Sequence, residues 1–225
     1  MMIVNLAAYP LAVSALEQLG LQEAQRQLSR NLWLLLATAT PIATVMVLFS
    51  SQLSSLVLGG QFHEAAGAII PWVSVAVLLS GMRAYHFDLA FQLGKRTGRQ
   101  LWVVGVAAVV NIALNVEWIP QWGLKGAAWA TLAAYAVALV MSAILGRGVF
   151  LIPMSWRAIT QVVTAALTML AVWYILPSAP GMAASVLRAG TMLVVYCGCL
   201  FMLLYVSRGR RILWHLRGDS RGTRT

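Results

Sequence analysis

The chain has 225 residues, of which 60% are hydrophobic and only 10% charged, with a mean hydropathy of +0.80 and a net charge of +10. A soluble domain carries about 25% charged residues, so this composition describes a polytopic membrane protein whose core is the interior of a helical bundle. The positive charge does not indicate nucleic acid, because the basic residues lie in loops between apolar runs and form no basic helix face or nucleic-acid motif.

Residues 1–16 are apolar, interrupted by Asn5 and Pro10, and rather short for a crossing. They read as a partial span whose beginning is missing, and no basic leader marks a cleavable signal peptide. Residues 17–30, EQLGLQEAQRQLSR, are polar and carry Arg26 and Arg30. Leu21, Ala24 and Leu28 predict an amphipathic helix lying in the membrane interface. A span follows over 31–50 with Pro41 at its centre. Proline has no N–H for the carbonyl of Ala37, so Pro41 is a candidate hinge. Such bends occur in transporters and also in membrane helices with no moving role.

Residues 51–65 read as a loop without Lys or Arg. The next span is expected over 66–93, with Pro71 in its first turns. It ends in RAYHFDLAFQL, which brings Arg83, His86, Asp88 and Gln92 into or near the bilayer. Ionisable groups at that depth are functional candidates. The competing reading is an interfacial extension, with Tyr85 and Phe87 in an aromatic belt and Arg83 snorkelling. Residues five apart on an α-helix lie roughly 140° apart, so Arg83 and Asp88 are not expected to pair.

Two uncharged runs then form a transmembrane hairpin, with spans over 101–118 and 125–146 and a turn at 119–123. Asn111 and Asn115 lie one turn apart on one face of the first span. Amides in hydrocarbon need partners, so the pair either bonds between helices or lines a transport path. In the second span Gly126, Ala130, Ala134, Ala138, Ser142 and Gly146 recur at every fourth residue. That spacing draws one stripe of small side chains, which lets a neighbouring helix approach closely.

A loop at 147–157, a span at 158–176, the turn PSAPG with Pro177 and Pro180, and a last span at 183–206 complete the bundle of residues 1–207. Cys197 and Cys199 point to different helix faces and offer neither a disulfide nor a metal set. Residues 208–225 are a basic tail. Ile212, Leu213, Trp214 and Leu216 among its arginines predict a surface-lying segment on anionic lipid, with a disordered end.

Thirteen of the sixteen Lys and Arg fall in 17–30, 94–100, 147–157 and the tail, whereas Lys125 and Arg188 alone lie on the opposite side. The positive-inside rule then places the thirteen, and the C-terminus, in the cytoplasm. The fold class is all-α: six full spans plus one partial N-terminal span. No phosphate loop, HExxH or GxSxG motif is present, and His63, His86 and His215 are scattered. No catalytic set, metal site or cofactor is expected, and an enzyme is the weaker class, although Asp88 or Glu117 are the carboxylates a membrane-embedded transferase would use.

The run N-I-A-L-N at 111–115, then I-P-x-x-G-x-x-G-A-A-x-A-T from Ile119 to Thr131, with Tyr135, resembles the C-terminal lobe of polysaccharide flippases. These are the O-antigen and lipid-linked oligosaccharide translocases of the multidrug/oligosaccharidyl-lipid/polysaccharide exporter superfamily. Tyr9-Pro10 before a basic amphipathic loop, Pro41, and L-x-L-G-G-x-F at 56–62 are similar to them as well. The resemblance implies half of a two-lobed, alternating-access transporter in the inner membrane. Its substrate would be an undecaprenyl-pyrophosphate-linked glycan, and its partners membrane lipid and a separate N-terminal lobe. It also implies a cationic cavity, for which Arg83, with His86 and Asp88, matches in type, while Asn111 and Asn115 would meet sugar. A drug or metabolite antiporter of the same superfamily, and a non-transporting scaffold or inactive remnant, are the alternatives.

Overall fold

The structure is a computed structural model. It describes the backbone of residues 2–58, 62–176 and 181–219 and the side chains of 9–58, 62–176 and 181–207. Every regular element among the described residues is a helix. Six are long and apolar enough to cross a membrane: Leu21–Leu48, His63–Leu93, Thr97–Trp122, Leu124–Arg147, Trp156–Ile175 and Met182–Ser207. The chain is a multi-pass membrane protein, and it divides into two compact units, Met1–Ile159 and Thr160–Thr225.

In the first unit α1 (Met2–Leu19) packs against α2 (Leu21–Leu48). Gly20 alone separates them, with a φ of +87° that residues bearing a Cβ avoid. The polar stretch expected to lie separately in the interface is instead the start of α2. A continuous apolar stripe explains this. Ala24, Leu28, Leu32, Leu35 and Ala39 are all buried, so burial carries one helix across the expected boundary at Asn31. Arg26 and Arg30 stay on the exposed side. The helix runs through the buried Pro41 and stops at Phe49.

The region expected to be loop contains a second departure, α3 (Ser50–Val57). Its serines bond to their own helix: the Ser54 and Ser55 hydroxyls donate to the carbonyls of Ser51 and Gln52, each at 2.9 Å. This short helix lies against α4 (His63–Met82), where Gly67 permits the approach. A Cβ at Gly67 would stand 3.1 Å from Ser54 Oγ. Beyond Met82 the helix widens into a π-helical segment, Arg83–Phe87, and resumes as α5 (Leu89–Leu93). The composite has 31 residues, a length of about 46 Å.

The hairpin is α6 (Thr97–Trp122) and α7 (Leu124–Arg147), packed along each other. The turn expected at 119–123 shrinks to Gly123, whose φ of +55° and ψ of −133° suit glycine alone. Residues 119–122 complete α6. Pro120 removes one N–H from the ladder there, and the Gln121 side chain donates to the Glu117 carbonyl at 3.2 Å. All six small residues of the α7 stripe are buried. A Cβ on Gly126 would strike the Trp118 carbonyl of α6, while one on Gly146 would stand 3.1 Å from the Ala90 methyl of α5. The stripe therefore packs on different helices at its two ends.

Past α7 the connector turns back over Gly94, whose missing Cβ leaves room for Val149. Gln25 of α2 donates to the Leu151 carbonyl at 3.0 Å. Phe150 and Ile152 pack on the cluster of Ala12, Leu28 and Leu89, which ties this end of the unit together.

The second unit holds most of α8 (Trp156–Ile175) together with α9 (Met182–Asp219). Buried residues recur at helical spacing, Val162, Ala165 and Met169 on α8 and Met192, Tyr196 and Leu200 on α9. The Arg188 guanidinium sits 3.7 Å over the Trp173 ring and donates to the Trp173 carbonyl, which gives a charge in an apolar helix its partners. Cys197 and Cys199 are free thiols. The α9 backbone continues past the expected end of the span at 206. The side chains of the tail, the prolines of PSAPG and residues 220–225 lie outside the described residues.

Candidate functional site

Arg83, His86 and Asp88 gather around the π-helical segment. In an α-helix Asp88 N–H would bond to the carbonyl of Ala84. Here it bonds to Arg83 O at 2.8 Å, five residues back, which widens the turn. The wider turn brings residues five apart onto one side. Arg83 Nη1 stands 3.6 Å from Asp88 Oδ2, so the pair that α-helical geometry excludes is formed. At that length it is an ion pair rather than a hydrogen bond.

Asp88 has no exposed surface and is held from two further helices. Ser142 Oγ of α7 donates to its Oδ1 at 2.6 Å, and Gln100 Nε2 of α6 donates to its Oδ2 at 3.2 Å. A buried carboxylate needs this many partners to remain in place. Arg83 keeps 17% of its side chain exposed, and its Nε is buried without an acceptor. His86, also buried, packs edge-on against Phe87 with ring centroids 5.0 Å apart, and neither ring nitrogen has a hydrogen-bond partner. A cavity of about 20 Å³, lined by Phe87, Ser142, Gly146, Arg147 and Phe150 among others, has room for a single water.

The structure thus brings Arg83 and Asp88 together and adds two residues that sequence reasoning assigned elsewhere. Ser142, a member of the packing stripe, is also a donor to a carboxylate. Gln100, placed in a loop, lies in the first turn of α6 and faces Asp88. The one signal that marks Ser142 is its hydroxyl in a stripe otherwise made of glycine and alanine. Asn111 and Asn115 do not join this cluster. Asn115 Nδ2 donates to Asn111 Oδ1 at 3.0 Å along α6, and Asn115 Oδ1 has no donor. They begin eleven residues beyond Gln100, about 16 Å along the axis. Their bond is within one helix, which neither sequence reading anticipated. Among the described residues no three His, Cys, Asp or Glu side chains come together as a metal site.

Neither a family model nor a curated protein matches this sequence. A solved structure does match the fold: a lipid II flippase, MurJ, in its inward closed conformation, with a TM-score of 0.73 at 11% identity. The match covers 91% of this chain and 43% of that one. This chain therefore has a flippase-type fold and spans less than half the length of that structure.

Proposed function

We propose that the chain forms one lobe of a flippase that moves a lipid-linked polysaccharide precursor across the cytoplasmic membrane. The observation that carries this reading is the extent of the shared fold, which takes in 91% of this chain and 43% of the other. Fold alone does not assign a substrate, and the Arg83 cluster supplies the chemistry. A guanidinium is suited to two phosphate oxygens at once. Asp88, closed off and braced by Ser142 and Gln100, is the group that positions Arg83, and it does not touch substrate in this conformation. Arg83 retains an exposed edge, 17% of its side chain, which is the part available to a diphosphate bridge. His86 and the Asn111–Asn115 pair are further polar groups of the wall, and Pro41 is the proposed hinge of α2. The reading requires a second lobe, rocking against this one to give alternating access. It places the basic loops and the C-terminus in the cytoplasm, and assigns the chain no catalytic chemistry of its own.

The test is Arg83→Ala in the complete transporter, with surface polysaccharide measured at equal expression. Loss of polysaccharide with Arg83→Ala and partial recovery with Arg83→Lys is the expected result. Unchanged polysaccharide in Arg83→Ala overturns the reading.

A further inference from the structure

Four of the chain's nine tryptophans meet at the Gly123 end of the hairpin. Trp118 and Trp122 are one turn apart at the end of α6, with centroids 5.7 Å apart. Trp129 of α7 lies 5.4 Å from Trp122 and 5.8 Å from Trp72 of α4. Every contact is edge-to-face, at 64° to 88°. The result is a string of indoles across three helices, 118–122–129–72. Local sequence builds it: Trp118 and Trp122 share a helix face, and Gly126 lets α7 touch the α6 backbone at Trp118.

Interfacial tryptophans ordinarily place the apolar body in the membrane and the N–H toward water. In this group the indoles contact one another, and the Trp129 N–H is buried with no acceptor. Its neighbours on either side, Trp122 and Trp72, nevertheless keep 45% and 40% of their surface exposed. Exposed indoles therefore flank a donor that lacks a partner. Glu117, Gln121 and Lys125, all exposed, bracket the joint with polar groups.

We infer that this string is a sugar-binding platform. A pyranose ring has one face rich in C–H bonds, which lies on an indole, and a rim of hydroxyls, which needs donors and acceptors beside it. Trp72 and Trp122, both exposed, supply the former, and the exposed Glu117 and Gln121 the latter. A quaternary ammonium is a poorer fit, because cation recognition needs ring faces converging on one point, whereas these rings run in a line beside the positive Lys125. The platform lies at the end of the bundle that the basic residues assign to the outside. Trp72 is eleven residues before Arg83 on the composite helix, about 16 Å, so a glycan whose diphosphate is at Arg83 extends toward it. The natural ligand, the glycan of a lipid-linked precursor, rests on the flippase reading; the sugar-binding site itself does not.

The experiment uses the full chain in phosphatidylglycerol nanodiscs, since maltoside detergents would compete. Chitotriose and maltotriose are titrated while tryptophan fluorescence and saturation-transfer NMR are recorded. Saturable binding of at least one of them is expected. Trp122→Ala and Trp72→Ala should each weaken it about tenfold, the loss of one aromatic contact. Trp122→Phe, which keeps a ring and guards against a folding artefact, should weaken it less. Trp102→Ala, an exposed tryptophan near the other end of α6, should leave it unchanged. Absence of binding by both sugars, equal loss in Trp102→Ala, or a response to choline chloride alone overturns the platform. Sugar binding alongside Arg83-independent polysaccharide export would uphold the platform and sink the flippase reading; export that needs Arg83, with no sugar binding, would do the reverse.

Discussion

Asp88 meets Arg83, Gln100 and Ser142 with no access to solvent, and the energetics of the cluster follow from that. Asp88→Ala strands the Arg83 charge in an apolar bundle, a loss expected to cost about 3–5 kcal/mol. Ser142→Ala removes one hydrogen bond to a charged group and is expected to cost about 1.5–3 kcal/mol. The double replacement Arg83→Met with Asp88→Leu should be milder than Asp88→Ala, because no charge is left unpaired. Thermal unfolding of the purified variants in one detergent measures all three. A double variant less stable than Asp88→Ala would show that the ion pair does more than offset its own burial. The clustering of Arg83, His86 and Asp88 in one stretch was readable in the sequence, whereas Gln100 read as loop and Ser142 as packing. The pairing of Arg83 with Asp88 was not readable, because it depends on a π-turn that RAYHF does not announce, and α-helical spacing sets the two on different faces.

At the scale of elements, the hairpin shows which patterns survive from sequence to structure. The recurrence of Gly126, Ala130, Ala134, Ala138, Ser142 and Gly146 coincides with the buried face of α7, because a repeat of four is a property of the helix itself. Boundaries fare differently. The apolar stripe of α2 overrides its polar start, the serines of α3 bond into their own helix, and Gly123 makes a turn where five residues were expected. Close packing at Gly126 gives a directional prediction. Gly126→Ala puts a methyl against the Trp118 backbone carbonyl, which cannot rotate away, and should cost about 1–3 kcal/mol. Gly105→Ala on α6 has open space around its Cβ and should be neutral or stabilising, since alanine is favoured over glycine in a helix by about 1 kcal/mol. The same unfolding assay compares the two. Equal stability would mean that α6 and α7 do not approach as closely as the structure has them.

At the scale of the whole molecule, charge decides what helix packing leaves open. A bundle and its inverted placement in the bilayer bury the same surfaces, so the fold does not choose between them. The expectation rests on sequence: thirteen of sixteen basic residues fall in 17–30, 94–100, 147–157 and 208–225, and Lys and Arg in short loops are retained in the cytoplasm. The structure sharpens where to look. Gln121 near the end of α6 and Arg96 just before its start are both exposed, and they stand 25 residues apart, about 38 Å along the helix and thus more than the hydrocarbon thickness. Cysteines introduced at the two positions should therefore lie on opposite sides. In intact cells a membrane-impermeant maleimide should label Gln121→Cys and leave Arg96→Cys unlabelled until lysis. The native thiols, Cys197 and Cys199, lie within an apolar span and supply the background from the unsubstituted chain. Labelling in the reverse order would put the tryptophan string in the cytoplasm, where a glycan meets the transporter before crossing. The platform would then act at loading, and Arg83 would be approached from the opposite end of its helix.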